Sequence, residues 1–142
     1  MANSLFSSMP TMTPESNGGL VKNFLCTLEG WKTKIKNLHW AAPKMNTHKL
    51  LDEIADFTGD FQDSLAEEYM GLKGQLPPNI LKGTPCDCLN MKDLLSCMST
   101  ETMTFYNSIP EGYPGIKSET ETFIHNINKY KYLSDLCDVT PY

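Results

Sequence analysis

The sequence predicts an all-α protein, a four-helix bundle with one long connection between its second and third helices. Apolar residues recur at spacings of three and four in four separate stretches, which is the pattern of amphipathic helices. No stretch alternates apolar and polar residues at a spacing of two, so strands are not expected. A segment rich in Pro, Gly and Cys separates the second stretch from the third and predicts the long connection.

The N-terminal part of the chain predicts a leader followed by the first helix. Residues 1–18 are rich in Ser, Thr, Pro, Met and Asn, a composition typical of a flexible leader, and the four-helix domain is assigned to residues 19–138. The first helix is expected from Leu20, with an apolar stripe over five turns, to near Trp40. It should end there because Pro43 follows.

The second helix is expected to start after Asn46 or Thr47, since either side chain can cap a helix, and to stop between Gly71 and Gly74. Eight apolar residues at helical spacing form the stripe that should enter the core of the bundle. They are Leu50, Leu51, Ile54, Phe57, Phe61, Leu65, Tyr69 and Leu72.

Residues 74–90 form the predicted connection, with a short helical turn at Asn79–Lys82. The third helix is expected from Met91 to Ile109, and the fourth from about Lys117 to Cys137. Met103 and Leu133 belong to their apolar stripes. One long connection between the second and third helices gives an up-down-down-up path, which is the path of ferritin-like folds.

Composition limits the classes of protein to consider. A chain of 142 residues with 40% apolar residues suits one soluble domain. No apolar run reaches the roughly 18 residues of a membrane span, and the first residues lack the pattern of a secretory signal. Five cysteines are an odd number for a secreted disulfide framework, so a reducing compartment is favoured. We therefore expect a cytoplasmic protein.

The charged residues argue against nucleic-acid binding. Seventeen acidic residues oppose twelve basic ones, and all twelve basic residues are lysine. Arginine is the preferred side chain for bidentate contacts to phosphates and base edges, so its absence argues against sequence-specific reading of DNA. Residues 1–21 contain no basic residue that could form an arm along a nucleic acid. Direct DNA binding is not expected.

The second helix carries the candidate metal ligands. At about 100° per residue, His48, Asp52, Asp63 and Glu67 share one face, and this face points away from the apolar stripe. Imidazole and carboxylate groups are ligands that suit iron, manganese or zinc. Each four-residue pair can approach one ion. The two pairs are too far apart to share an ion, because eleven residues from Asp52 to Asp63 span about 16 Å of helix.

A two-fold dimer would bring the two pairs together. If the same helix of a second chain lies antiparallel, about an axis near Thr58, Asp52 of one chain meets Asp63 of the other. Ala55, Gly59 and Ala66 lie on this face and are small enough for close approach. His39, at the end of the first helix, is a further candidate ligand. The alternative is an ordinary solvated acidic surface, and spacing alone leaves both readings open.

The same residues resemble a known family, the Dps proteins (DNA-protection-during-starvation miniferritins). The resemblance covers residues 36–74 and is carried by Leu38-His39-Trp40, by His48 with Asp52, by Asp63 with Glu67, and by the Gly pair that follows. In that family a helix ends in Leu-His-Trp, and the next begins with a His and an acid four residues later. An Asp and a Glu, four residues apart, then follow at the offset found here.

The resemblance implies an iron-storing ferroxidase that oxidises Fe(II) with hydrogen peroxide or oxygen and protects against oxidative damage. His39, His48 and Asp52 would come from one subunit, and Asp63 and Glu67 from its two-fold mate. Trp40 would be a catalytic residue that supplies an electron to a reactive intermediate, Zn or Mn could occupy the same site, and twelve subunits would form a shell. The alternative function is a structural, shell-forming helical protein that binds metal without turnover.

Overall fold

The structure is a computed structural model that describes residues 14–137, and the side chains of residues 19–137. It contains four helices: α1 (Pro14–Ala41), α2 (Met45–Lys73), α3 (Met91–Ser108) and α4 (Pro114–Leu136). No strand occurs within residues 14–137. The predicted all-α class, with four helices and a long connection after the second, is confirmed.

The four helices form a square in which each packs against two neighbours: α1 on α2 and α3, and α4 on α2 and α3. All four neighbouring pairs run antiparallel, since contacts near one end of a helix are made to the opposite end of its neighbour. The contacts are His39–His48 and Leu25–Gln62 between α1 and α2, Phe57–Tyr130 and Ser64–Glu119 between α2 and α4, and Lys92–Asp135 and Tyr106–Glu121 between α3 and α4. Between α1 and α3, Phe24 stacks on Phe105, and Trp31 and Cys97 line the same cavity. The expected up-down-down-up path of a ferritin-like bundle is therefore present.

Four aromatic rings, one from each helix, form a continuous row through the core of the bundle. Phe105 of α3 stacks on Phe24 of α1 with ring centroids 4.1 Å apart, and Phe61 of α2 stacks on Phe123 of α4 at 4.2 Å. Phe24 meets Phe61 edge to face at 6.3 Å, which links the two stacks. Aromatic pairs with these geometries contribute about 0.5–1.5 kcal/mol each beyond the area they bury. Four helices are thus held by one continuous row of rings.

Three residues assigned to apolar stripes lie outside the core. Leu72, Met103 and Leu133 are exposed, because each is near the edge of its helix's buried face or near a helix end. Tyr69 is buried, as its place in the stripe predicts.

The first helix starts earlier than predicted. Residues 14–18, assigned to the leader, belong to α1, while residues 1–13 lie outside the described residues, as does residue 138 at the predicted end of the domain. Proline is favoured in the first turn of a helix, and Pro14 occupies this position. Apolar spacing cannot reveal a helical turn that is entirely polar, which explains why the expected start was Leu20.

The predicted cap of α2 is wrong. The helix begins at Met45, its N-cap is Lys44, and no side chain caps it. Asn46 and Thr47 lie inside the first turn, where the Asn46 Oδ1 atom accepts a hydrogen bond from the Thr47 N–H at 2.7 Å. The turn between α1 and α2 is therefore only three residues long, which brings the ends of the two helices close together.

The boundaries of α3 and α4 are also shifted slightly. Asn90 caps α3 through a bond from the Asp93 N–H to its Oδ1 atom at 2.9 Å, and Ile109 is the C-cap rather than the last helical residue. The fourth helix begins at Pro114, three residues before the predicted Lys117, because proline again suits the first turn.

The connection between α2 and α3 crosses α1 at a glycine. The helical turn predicted at Asn79–Lys82 is wrong, since only residues 78–79 form a turn there. The Thr84 N–H donates to the Cys26 carbonyl at 2.9 Å. A Cβ atom on Gly30 would lie 1.7 Å from the Thr84 carbonyl oxygen. Only a residue without a side chain allows the connection to rest on α1 at this point.

We predict that Gly30→Ala lowers the free energy of unfolding by about 1–3 kcal/mol, because the added methyl group must displace the backbone at Thr84. Gly71→Ala is the control: it is also helical, and a Cβ atom there would meet nothing within 4 Å. It should be neutral or stabilise by up to about 1 kcal/mol. Urea unfolding of both variants measures the difference, and equal midpoints would contradict the contact.

Candidate metal centre

The two candidate histidine ligands, His39 and His48, are in direct contact. Their rings stack with centroids 3.7 Å apart and an angle of 24° between planes. The Nδ1 atom of His39 lies 2.9 Å from the His48 carbonyl oxygen, and the Nδ1 atom of His48 lies 3.0 Å from the His39 carbonyl oxygen. The end of α1 and the start of α2 are thus joined by a reciprocal pair of hydrogen bonds.

These bonds define which ring nitrogens are available. A carbonyl oxygen can only accept, so Nδ1 of each ring carries the proton and donates it. In a neutral imidazole the other nitrogen, Nε2, then carries the lone pair. Histidine ligands of metals usually donate their second ring nitrogen to a carbonyl or carboxylate in this way, which fixes the tautomer and the orientation of the ring. In His39 and His48 the Nδ1 atom is thus engaged by a carbonyl, and Nε2 is the ring nitrogen left for a metal ion.

The three candidate carboxylates lie on the outer face of α2. Asp52, Asp63 and Glu67 are exposed, while Thr58 is buried. None of the three forms an ion pair or hydrogen bond with another residue in the part of the chain that the structure describes. The helical wheel predicted this outward face, and the carboxylates on it are open to a cation or to a second chain.

A single chain assembles only part of the predicted ligand set. Within residues 14–137, no group of three or more His, Cys, Asp or Glu side chains is arranged to hold a metal ion. His39 and His48 are brought together, but Asp63 and Glu67 lie eleven to fifteen residues further along α2 than Asp52. The intersubunit site stays a prediction, and it is the arrangement in which the missing ligands would come from another copy.

A groove runs between α1 and α2 beside the acidic face. It encloses about 780 Å³ and is lined by residues of both helices, including Gly59 and Ala55, which are half-buried. Lys32 and Lys36 of α1 face Asp56 and Asp60 of α2 across it. A Cβ atom on Gly59 would meet only the Lys32 side chain, at 3.9 Å from its Cε atom.

A buried glutamine behind this groove was not singled out from the sequence. Gln62 donates its amide to the Leu25 carbonyl at 3.2 Å and to Glu29 Oε1 at 3.1 Å, and it accepts from Lys32 Nζ at 3.0 Å. Because its amide donates two hydrogen bonds to α1 and accepts one from it, Gln62 fixes α2 against α1. The available signal was its position at the edge of the apolar stripe, directly after Phe61.

Trp40 is exposed, with 71% of its surface accessible. The Lys36 ammonium lies over its ring, 5.9 Å from the centroid. The indole follows His39 directly at the end of α1. Trp40 therefore lies outside the core, and packing within one chain does not explain why a tryptophan stands at this position.

Comparisons with family models, with curated proteins and with solved structures found no match. No helix within the described residues combines the length and the apolar character that crossing a membrane requires. The likeness to the Dps proteins is thus carried only by the residues and spacings given above.

We predict that His39→Ala and His48→Ala each lower the free energy of unfolding by about 1–2 kcal/mol more than His125→Ala does. Each of the two variants loses a hydrogen bond and a ring contact. His125 is also helical, but it is exposed on α4, so the control corrects for the intrinsic difference between His and Ala in a helix. Thermal and urea unfolding give the values. A loss no larger than that of the control would contradict the reciprocal contact.

Proposed function

We propose that this protein is a ferroxidase of the miniferritin type, which oxidises Fe(II) at a site shared by two subunits and stores the ferric product. The histidine pair carries the proposal. Two imidazoles whose Nδ1 atoms bond to carbonyls, which leaves Nε2 as the ring nitrogen for a metal ion, lie beside the helix that carries Asp52, Asp63 and Glu67 on its exposed face. Imidazole and carboxylate together suit Fe(II), and the hard oxygen ligands also suit Fe(III).

Each site takes its ligands from two chains. His39, His48 and Asp52 belong to one subunit, and Asp63 and Glu67 to the subunit related by a two-fold axis near Thr58. Antiparallel packing of two α2 helices is supported by the small residues Ala55, Gly59 and Ala66 on this side of the helix. Because the interface is isologous, one dimer contains two equivalent sites.

Iron is the substrate of the reaction, and hydrogen peroxide or oxygen is the oxidant. Two Fe(II) ions lose one electron each, and one hydrogen peroxide molecule accepts both electrons and two protons, forming two water molecules. The carboxylates and imidazoles bind Fe(II) and retain the ferric product long enough for transfer to a store. Consumption of peroxide without release of radicals would protect the cell, and we place the protein in the cytoplasm.

Trp40 is proposed as an electron donor close to the site. It follows the ligand His39 directly, and its ring is exposed rather than held in the core. In the dimer this ring lies near the interface, where it can be oxidised when only one Fe(II) is bound. Storage requires a larger assembly, and we propose the twelve-subunit shell of the Dps family, with no direct role for DNA.

We predict that the wild-type protein oxidises many Fe(II) ions per chain with peroxide, and that Asp63→Ala/Glu67→Ala loses at least 90% of the initial rate. Glu53→Ala/Asp60→Ala is the control, because it removes two carboxylates from α2 without removing a proposed ligand. Rapid-mixing absorbance of Fe(III), with light scattering for assembly size, provides the measurement. Retention of one ion per site without turnover would support the structural alternative instead.

The division of ligands between subunits can be tested by complementation. We predict that His39→Ala/His48→Ala and Asp63→Ala/Glu67→Ala are each inactive alone. Coexpressed, they should recover about one quarter of the wild-type rate: half of randomly formed dimers are mixed, and each mixed dimer has one intact site out of two. Recovery of no activity from assembled mixed dimers would show that each site lies within one chain.

A further inference from the structure

A second group of reactive side chains lies on the opposite side of α1 from the groove, where the connection meets α3. Three cysteines, Cys86, Cys88 and Cys97, line one cavity of about 540 Å³ with Trp31 and Glu101. All three are free and half-buried. The proposed ferroxidase reaction uses none of them.

The three thiols of this cavity affect one another. Interactions with both Cys86 and Cys97 shift the pKa of the Cys88 thiol, and Cys88 in turn shifts the pKa of Cys97. The Cys97 thiol also donates to Glu101 Oε2 at 2.8 Å. Cys88 is therefore the central thiol, and Cys97 is the partner that belongs to a different element of the fold.

Both partners are held in place by the backbone. Cys97 lies within α3, and two residues before Cys86 the connection is fixed to α1 by the Thr84–Cys26 hydrogen bond and by the close contact at Gly30. Asn90 caps α3 immediately after the Cys88-Leu89 pair. The short segment between the two thiols therefore has little freedom to separate them.

We propose that Cys88 and Cys97 form a reversible disulfide on exposure to hydrogen peroxide and so tie the connection covalently to α3. The inference does not depend on the ferroxidase function. Because a reducing compartment returns the pair to thiols, the crosslink would mark oxidative conditions.

The reaction has two steps. The Cys88 thiolate attacks one oxygen of hydrogen peroxide; the O–O bond breaks, the released hydroxide takes a proton to become water, and Cys88 becomes a sulfenic acid. The Cys97 sulfur then attacks the Cys88 sulfur, the S–O bond breaks, and the Cys97 proton passes through Glu101 to the leaving hydroxide. Two thiols and one peroxide thus give one disulfide and two water molecules.

The protonation of the thiols makes this reaction slow at neutral pH. Burial, then hydrogen bonding to Cys86, raises the pKa of the Cys88 thiol, with Asp93 adding a smaller increase and Cys97 an opposing decrease. Burial and the bond to Glu101 raise the pKa of the Cys97 thiol to about 12. Since the thiolate is the nucleophile, the rate should rise about tenfold per pH unit below the pKa of Cys88.

The crosslink can be identified by peptide mapping, because Lys92 separates the two cysteines. The reduced full-length protein is treated with hydrogen peroxide, blocked with a maleimide and digested with trypsin without reduction. We expect peptide 83–92 joined to peptide 93–117, and separation of the two on reduction. The oxidised protein should also melt about 5–10 °C higher than the reduced protein, because a loop of about ten residues is closed.

Serine variants distinguish the possible pairs. Cys97→Ser, which retains a donor to Glu101, and Cys88→Ser should abolish the joined peptides and the rise in melting temperature. Cys86→Ser and the control Cys137→Ser, at the end of α4, should retain both effects. A disulfide within peptide 83–92, joined peptides that survive in Cys88→Ser, or oxidation of all three thiols only to sulfinic acid would overturn the proposal.

Discussion

The antiparallel pairing of α1 with α2 across a three-residue turn is the constraint on which the candidate site depends. Because the turn is so short, His39 and His48 are close enough for each ring to bond the other's backbone. Further along the same pair, Gln62 bonds to both the backbone and a side chain of α1. Two polar attachments, one beside the turn and one further along the helix pair, therefore fix the rotation of α2 and direct its acidic face outward.

The other two helices depend on a different constraint, the route of the long connection. The connection must return along the length of the bundle, so α3 runs parallel to α2 and packs on α1 instead. Gly30 permits this route, since a side chain there would occupy the position of the Thr84 carbonyl. The row of four phenylalanine rings then joins the α1–α3 and α2–α4 pairs into one core. The same crossing places Cys88 beside Cys97.

The periodicity of apolar residues was sufficient to predict the four helices, their path and the outward face of α2, because burial of one face is what the pattern records. It could not predict the start of α1 at Pro14 or of α2 at Met45, because neither first turn contains a residue of the apolar stripe. The contact at Gly30 and the reciprocal bonds of His39 and His48 were also beyond reach. Each of these contacts joins two positions that only tertiary packing brings together, and no local sequence pattern indicates such a contact.

In the proposed function, electrostatic repulsion links the binding of Fe(II) to the association of two subunits. In the proposed dimer each site brings Asp52 of one chain near Asp63 and Glu67 of its mate, and like charges at close range oppose association. The chain already has a net charge of −5, so repulsion favours separate subunits unless a cation lies between the carboxylates. In the proposed dimer, binding of Fe(II) at the shared site would therefore strengthen association, and by thermodynamic reciprocity a tighter dimer would bind Fe(II) more strongly. Substrate and assembly would then support each other through the same three carboxylates.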